Sequence, residues 1–184
     1  MKNVMVDLET LALDSNALIL SIGAVEFDPQ APGDGLGREF YLVVNQDLQQ
    51  SKWGRVVSPS TLKWWSEQGA EAKRVLDHSA PAAFGPRLDS ALVKFQSWLG
   101  GPANIWGYGA HFDNVVLANA YSACGLHDAW SYSQNRCHRT LKALGPDLTM
   151  VIPINACEHD ALQDAKYQAR WAVEALRRMN MGAR

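Results

Sequence analysis

Hydrophobic positions along this chain recur with two periods, one typical of strands and one typical of helices. Apolar runs and alternating patterns predict strands at residues 3–10, 18–27, 39–44 and 103–106. Apolar residues three and four positions apart predict helices at residues 60–68, 71–76, 88–99, 113–124 and from 161 onward. The segment 129–154 shows neither period, so no element is predicted there.

The order of these elements predicts an α/β fold. Three early strands joined by turns predict an antiparallel meander, and the later alternation of strand and helix adds parallel strands to the same mixed central sheet. Helices would flank this sheet, and a functional site would form near the carboxyl ends of its strands. Because the 184 residues are 47% hydrophobic and contain no long polar linker, residues 1–184 are expected to form one domain.

Charge and cysteine content narrow the classes of function. A formal net charge of -2 argues against a protein that coats long nucleic acid, but it permits binding of a chain end. Cys124, Cys137 and Cys157 are odd in number and form no C-x-x-C motif, which favours reduced thiols in a cytoplasm. The sequence has no signal segment and no apolar run of roughly 18 residues, so neither secretion nor a membrane partner is expected.

Two carboxylates in the first strand are the most specific chemical signal. Asp7 and Glu9 are two residues apart, so strand alternation places both side chains on one face. Ionised carboxylates in an apolar setting need a proton, a basic partner or a cation, and residues 3–10 contain no lysine or arginine. Oxygen ligands suit Mg2+ or Mn2+, which bind a few carboxylates together with substrate phosphate oxygens. The strand therefore predicts a site for a metal and a phosphate.

A second pair of polar residues lies at the start of the last helix. Asp160 followed by Gln163 is a capping-box pattern, which makes Asp160 the N-cap residue. His159 then precedes the cap and Asp164 takes the fourth helical position, and side chains at these two positions normally touch. The spacing alone therefore predicts that His159 lies beside Asp164.

Asp113 completes the candidate site. It follows the strand at 103–106 and opens a helix, so it would lie at the same edge of the sheet as Asp7 and Glu9. Taken singly, each of these residues has a simpler explanation, such as a chance pair, a helix cap or a surface histidine. Their common placement at strand and helix ends favours a catalytic cleft instead.

Three alternative interpretations remain open. One is a zinc site formed by Cys137, His138, Cys157 and His159. These residue types can bind zinc, but their spacing matches no usual zinc finger or zinc ribbon. The second makes His111 the catalytic base, although its side chain would diverge from Asp113 at a helix start. The third is an inactive module that binds nucleic acid or protein and keeps the same fold.

Three motifs in this order resemble the DEDDh exonucleases of the DnaQ-like, ribonuclease H-fold superfamily: Asp7-Leu8-Glu9-Thr10, His111-Phe112-Asp113-Asn114 and His159-x4-Asp164. The resemblance covers nearly the whole chain. Segments 60–68 and 71–73 are most similar to the phage DexA-type exonucleases, which degrade single-stranded DNA from the 3' end; the related exoribonuclease AS type acts on RNA. Proofreading exonucleases usually have Thr-Gly where this chain has Leu11-Ala12, and an Asn where it has Gly109.

This resemblance implies a metal-dependent 3'-5' exonuclease that releases 5'-mononucleotides from single-stranded nucleic acid, with DNA favoured over RNA. Two divalent cations, Mg2+ or Mn2+, would be held by Asp7, Glu9, Asp113 and Asp164. His159 would be the general base, since a histidine can accept a proton near neutral pH. The setting would be a bacterial or phage-infected cytoplasm, and a homodimer is compatible with the family.

Substrate contacts are expected from residues close to the acids. By analogy with the family, Leu11 and Phe112, together with Thr10 of the first motif, would support the terminal base. Trp64 and Trp65 point about 100° apart on a helix, so one packs inward while the other can cover a base. Packing or a dimer contact is the alternative for both. The basic residues of the last helix are interpreted as a solvated face rather than a phosphate track: Lys166, Arg170 and Arg177.

Overall fold

The computed structural model describes residues 1–81, 83–109, 111–148 and 159–181. In these ranges the strands of one mixed sheet are β1 (Lys2–Thr10), β2 (Ile19–Phe27), β3 (Leu36–Val43), β4 (Ala103–Gly107) and β5 (Asn135–Cys137). The first three strands form the predicted antiparallel meander, and β4 and β5 add parallel strands in the order β3-β2-β1-β4-β5. The sheet and its flanking helices confirm the α/β fold.

The helices of the described ranges are α1 (Gln49–Trp53), α2 (Pro59–Glu67), α3 (Ala70–Ser79), α4 (Leu88–Leu99), α5 (Asp113–Ala123), α6 (His138–Leu144) and α7 (Ala161–Met181). Of these, α2, α3, α4, α5 and α7 occur in the predicted order and begin within a few residues of the predicted positions. The sequence predicted neither of the short helices α1 and α6. None of the helices in the described ranges is both long and apolar enough to span a lipid bilayer.

Alternation along β1 divides the core into two layers. Val4, Val6 and Leu8 pack with α4 and α5 on one face of the sheet. Met5 packs with the small residues of α7 on the other face. Because Asp7 and Glu9 continue the odd-numbered series of Met5, both carboxylates point to the α7 side, as the period of two requires.

Gly23 allows α7 to lie directly on the sheet. It is the register partner of Asp7 in β2, and a Cβ atom added to it would lie 2.1 Å from the backbone carbon of Ala161. Any side chain at Gly23 would therefore push the start of α7 away from β1. This close approach brings the residues at the start of α7 over the two carboxylates of β1.

The basic residues of α7 lie on a partly exposed face, as predicted, and each is paired with an oxygen atom of the meander. Lys166 forms an ion pair with Glu39 of β3, and Arg170 forms one with Asp34 in the turn between β2 and β3. Arg177 donates to backbone carbonyl oxygens of the same turn. These contacts tie α7 to the meander. The sequence missed them because they join residues more than a hundred positions apart.

The segment without a clear period contains β5, α6 and a 3-10 helix at Tyr132–Gln134, while its residues 149–154 lie outside the described part. β5 is only three residues long, and it forms a strand through its parallel pairing with β4. Three polar or partly exposed residues carry no alternation that a sequence pattern could detect. The strand therefore depends on its neighbour rather than on its own composition.

Candidate active site

An open cavity of about 800 Å³ lies where β1, β4 and the start of α7 meet. Every one of the five candidate catalytic residues lines it: Asp7, Glu9, Asp113, His159 and Asp164. Glu9 and Asp113 are 8% and 3% exposed, whereas Asp7 is partly buried and opens onto the cavity. The fold thus gathers residues from three distant segments into one cleft.

A glycine at the end of β4 makes room for Asp113. Asp113 begins α5, and a Cβ atom added to Gly107 would lie 2.8 Å from its carboxylate oxygen Oδ2. The neighbouring Asn114 donates from Nδ2 to the carbonyl oxygen of Ile105 at 2.8 Å and to Oδ1 of Asn135 at 2.9 Å. Asn114 therefore fixes the start of α5 against β4 and β5, and the absence of a side chain at Gly107 lets the Asp113 carboxylate reach the cleft.

The start of α7 has the predicted geometry. Asp160 Oδ1 accepts hydrogen bonds from the backbone N–H groups of Leu162 and Gln163, at 3.1 and 2.9 Å, as an N-cap residue does. The backbone N–H of His159 donates to Asp164 Oδ2 at 3.0 Å, so the two residues are neighbours. His159 has a φ of 68°, a left-handed conformation that is uncommon for residues other than glycine.

Three of the side chains form a group with the dimensions of a metal site. Ligand atoms of Glu9, His159 and Asp164 all lie within 4.8 Å of one another. Asp7 and Asp113 line the same cavity as this group. Asp7 lies close enough to Asp113, Glu9 and Asp164 for their negative charges to raise its pKa. Within the described part of the chain, no ion pair with a lysine or arginine neutralises Asp7, Glu9 or Asp113. Carboxylate oxygens gathered in this way fit divalent cations such as Mg2+ or Mn2+.

Burial and mutual repulsion raise the pKa values of these acids in the metal-free protein. Burial, followed by repulsion from the neighbouring carboxylates, holds the pKa of Asp7 well above its usual range. The same causes raise the pKa of Glu9 to about 8. Burial raises the pKa of Asp113 to about 7, although hydrogen bonding from backbone groups works in the opposite direction. The cluster therefore retains protons at neutral pH unless a cation replaces them.

The metal-free protein is expected to lose stability as the pH rises from 6.5 to 8.5. In the unfolded chain these acids release their protons at about pH 4, but in the folded protein Asp113 and Glu9 keep theirs to about pH 7 and 8. The folded state thus binds more protons in this window, so its free energy of unfolding falls by about 2 kcal/mol, or about 5 °C in Tm. Thermal unfolding of chelator-treated protein measures the shift.

Two controls sharpen this pH experiment. Burial lowers the pKa of His138 to about 4, so its opposing effect on stability is confined below about pH 6.5. Glu9→Gln should flatten the decline, and added Mn2+ should raise the Tm most at pH 8.5. A Tm that is constant or increases over this window would show that the carboxylates do not retain their protons.

The adjacent tryptophans of α2 have different environments. Trp65 is 1% exposed and donates from its indole Nε1 to the carbonyl oxygen of Thr10 at 2.9 Å. Trp64 is 39% exposed, and its ring lies edge-on to His159 with 4.7 Å between ring centroids. Trp65 is therefore a core residue rather than a base-stacking surface. Trp64 supports the His159 ring and keeps an exposed face beside the cleft.

A second cavity of about 400 Å³ continues the cleft towards α2. Its lining contains Phe112 and Thr10, which were expected to contact substrate, but not Leu11. Leu11 is 3% exposed and packs in the cluster around Trp65, so its expected contact with a base is corrected. Leu13, which is 80% exposed, lines both cavities in its place. The turn after β1, where Leu11 N–H bonds to Leu18 O, determines which leucine points outward.

Sequence reasoning also missed Gln168, one turn beyond Asp164 on α7. Its Nε2 donates to Asp7 Oδ1 at 2.8 Å, and the residue is only 6% exposed. Its Oε1 is buried without a hydrogen-bond partner in the described structure, and the residue lines the main cavity. A period of four residues after Asp164 would have placed Gln168 on the same helix face. The amide holds Asp7 in one orientation.

Gln168→Leu is expected to weaken Mn2+ binding by about 10-fold. Residues that orient a metal ligand by a hydrogen bond typically change metal affinity by about 10- to 100-fold when they are removed. Leucine has a similar volume and cannot donate to Asp7, so packing is retained while the orientation is lost. Isothermal titration calorimetry with Mn2+ measures the effect, with the exposed Asn180→Ala on the same helix as a control. Equal affinities for Gln168→Leu and Asn180→Ala would assign Gln168 to packing alone.

The alternative sites receive less support. Within the described residues, His159 groups with Glu9 and Asp164, and not with Cys137 and His138 as a zinc site would require. Cys157, the fourth proposed zinc ligand, lies outside the described residues. His111 lines the rim of the main cavity and is exposed, but it does not belong to the group of close ligand atoms.

Two solved structures of known proteins share this architecture. The E. coli Exonuclease I structure, with a dA16 oligonucleotide, has a TM-score of 0.62 and 16% identity; the match covers 94% of this chain and 40% of that one. The structure of the nuclease domain of 3'hExo, a DEDDh family member bound to rAMP, has a TM-score of 0.64 and 14% identity, over 96% of this chain and 92% of that one. These likenesses support the ribonuclease H-like fold.

Two matches at the level of sequence indicate the family of the chain. The Exodeoxyribonuclease of Enterobacteria phage T4 is 23% identical over 128 residues, which is 65% of this chain and 55% of that protein. The chain thus matches about half the length of its phage relative. A family model described as the 3'-5' exoribonuclease Rv2179c-like domain matches residues 2–176. The chain therefore belongs to the family described as the 3'-5' exoribonuclease Rv2179c-like domain.

Proposed function

We propose that this protein is a metal-dependent 3'-5' exonuclease that removes nucleotides one at a time from single-stranded nucleic acid and releases 5'-mononucleotides. The observation that carries the proposal is the group of buried and partly buried carboxylates beside His159 in an open cleft, in which Asp7, Glu9 and Asp113 form no ion pair with a lysine or arginine of the described residues. An inactive binding module would have no need for carboxylates whose burial opposes their charge.

The four carboxylates would hold two divalent cations. Asp7, Glu9 and Asp164 face one another around the cleft, and Asp113 adjoins Asp7 from the start of α5. Cations bound there would activate the attacking water and offset charge on the phosphoryl group and the leaving 3' oxygen. Gln168 keeps Asp7 oriented, and the backbone N–H of His159 does the same for Asp164.

His159 is the proposed general base. Its ring lies against the edge of Trp64, and its backbone is fixed by the hydrogen bond to Asp164. A positioned imidazole can take the proton of the attacking water at neutral pH. The left-handed backbone conformation of His159 is a local cost that the surrounding contacts maintain, as is common at functional sites.

The cavity towards α2 would receive the terminal nucleoside. It is lined by apolar and aromatic surface from Leu13, Trp64 and Phe112, and it adjoins Glu9 at the cation site. Aromatic faces stack on bases with little regard to sequence, at about 1 to 3 kcal/mol per base. This arrangement suits removal of any terminal nucleotide rather than recognition of one sequence.

One comparison favours RNA as the substrate, and another favours DNA. The family description names an exoribonuclease and covers residues 2–176, whereas the phage relative is named an exodeoxyribonuclease and matches 65% of the chain. Discrimination between the two depends on contacts to the 2'-hydroxyl of the sugar. We propose a DNA exonuclease as the first candidate function and an exoribonuclease as the second.

A time course on matched single-stranded oligonucleotides tests the proposal and separates the candidates. DNA and RNA of the same sequence, labelled at the 5' end, are incubated with Mg2+ or Mn2+, and products are separated on a sequencing gel. Stepwise shortening from the 3' end supports an exonuclease, and the faster strand identifies the preferred sugar. Cleavage at internal positions, or no cleavage of either strand by metal-loaded protein, would overturn the proposal.

A further inference from the structure

Arg139 differs from the other arginines that the structure describes. Each of those donates guanidinium N–H groups to, or forms an ion pair with, an oxygen atom of the protein, as Arg38 does with Glu26 and Arg136 with Ser133 O. The guanidinium of Arg139 lies instead over the ring of Tyr108, with 4.9 Å between Cζ and the ring centroid. A guanidinium stacked on a ring by its face keeps its edge N–H groups available for a ligand.

The position of Arg139 is fixed at the rim of the main cavity. Its backbone N–H donates to Tyr108 O at 2.9 Å, and both residues line that cavity. Behind Tyr108 lies the buried ring of His138, with 5.5 Å between centroids, and behind His138 lies Trp171 at 5.2 Å. This column of rings reaches from the core to the cleft. It holds the guanidinium in place at a small cost in side-chain entropy.

The negative charge of the cleft would repel the phosphates of a nucleic acid strand, and Arg139 can offset that repulsion. Asp7, Glu9, Asp113 and Asp164 concentrate negative charge in the lining, and Arg139 is the lining residue with a permanent positive charge among the described residues. Cations held by the acids would offset one phosphate, but a nucleic acid strand carries another phosphate at the next nucleotide. That second phosphate would be repelled unless a separate positive charge meets it.

His111 is the neighbour of Arg139 at the cavity rim. Gly109 has no side chain, and a Cβ atom added there would lie 3.0 Å from His111 Cε1 and 3.9 Å from Arg139 Cζ. His111 and Arg139 therefore lie close together over Gly109, which leaves no room for a side chain there. Both side chains are exposed, and both line the cavity. Bidentate donation from a guanidinium edge to phosphate oxygens is a common mode of recognition.

We propose that Arg139, stacked on Tyr108 and facing His111 across Gly109, forms a subsite for the internal phosphate of the nucleotide that precedes the one being removed. The inference rests on the proposed function, because it assigns the direction in which the strand leaves the cleft. It makes Arg139 a residue for binding chains of three or more nucleotides, without a part in bond cleavage itself.

The test compares two substrates that differ in the second phosphate. Thymidine 5'-(p-nitrophenyl phosphate) has a single phosphodiester, whereas a 12-nucleotide single strand places further phosphates along the cleft. Arg139→Ala should raise KM for the oligonucleotide about 10-fold or more, with kcat within threefold, and should leave hydrolysis of the nitrophenyl ester unchanged. The slope of log kcat/KM against log salt should fall by about 1.

Matched variants isolate the stacked guanidinium. Lys142→Ala removes an exposed positive charge from the same helix α6, outside the cavity lining, and should leave both substrates unaffected. Arg139→Lys keeps the charge without the planar group, and it should restore part of the loss for the oligonucleotide. A loss of the same size for both substrates, or for neither, would overturn the subsite.

A binding measurement separates this subsite from the proposed function. The Asp7→Asn protein serves as a background that does not consume the strand, and fluorescence anisotropy gives its affinity for a labelled 12-nucleotide strand. Adding Arg139→Ala should weaken that affinity about 10-fold at low salt. This result supports the subsite even if the wild-type protein hydrolyses neither substrate, which would overturn the exonuclease alone. An unchanged affinity would overturn the subsite alone.

Discussion

Asp7→Asn is expected to abolish hydrolysis while leaving the protein folded. Asp7 experiences the charges of Asp113, Glu9 and Asp164, so it lies at the centre of the acidic cluster. Asparagine keeps the shape and can still accept the hydrogen bond that Gln168 donates to Oδ1. It cannot supply the negative charge that a cation needs, so we expect kcat/KM to fall by more than about 1,000-fold and Mn2+ affinity to fall with it.

The stability of Asp7→Asn distinguishes loss of function from loss of fold. Because burial and repulsion hold the pKa of Asp7 well above its usual range, replacing the acid relieves an unfavourable charge in the metal-free protein. The Tm without metal should therefore be equal to or above that of the wild type at pH 8. Asp14→Asn, in the exposed turn after β1, is the matched control and should retain full activity. Mn2+-dependent activity in Asp7→Asn would contradict the two-cation site.

His159→Ala is expected to lower kcat by about 100- to 10,000-fold, the usual contribution of a general base. The close grouping of His159 with Glu9 and Asp164 also permits a different role, as a metal ligand. The two roles predict different affinities. A base can be removed with Mn2+ affinity unchanged within about threefold, whereas removal of a ligand weakens binding by about 10-fold or more. Calorimetry of the variant with Mn2+ decides between them.

Two further variants support the His159 experiment. Asparagine tolerates the φ of 68° at this residue better than alanine does. If the alanine variant unfolds, kcat and Mn2+ affinity can therefore be measured on His159→Asn instead. His111→Ala should keep kcat within about threefold, because His111 lies outside the group of close ligand atoms. Loss of turnover in His111→Ala with full turnover in His159→Ala would reverse the assignment of the base.

Local rules predicted the parts of the site that depend on neighbouring residues. The alternation of β1 placed Asp7 and Glu9 on one face, and the structure has both on the side of α7. The cap at Asp160 placed His159 beside Asp164, and the two are joined by a hydrogen bond of 3.0 Å. Each of these relations spans fewer than ten residues, so a single sequence contains all of its determinants.

The sequence could not predict relations that depend on distant contacts. Leu11 and Leu13 have the same side chain, and their opposite exposure follows from a turn that pairs Leu11 with Leu18. Gln168 reaches Asp7 across 161 positions, and Arg139 reaches the cleft by stacking on Tyr108. β5 forms only beside β4. Such features become visible once the sheet order brings the segments together.

The first product released from a single strand tests the central claim most directly. Chelator-treated protein is incubated with an oligonucleotide whose 3'-terminal nucleotide differs from all the others, with and without added Mg2+ or Mn2+, and products are identified by mass spectrometry. The cluster of carboxylates beside His159 predicts that the terminal nucleoside 5'-monophosphate appears first, and only with added metal. A nucleoside 3'-monophosphate, an internal fragment, or equal release without metal would contradict it.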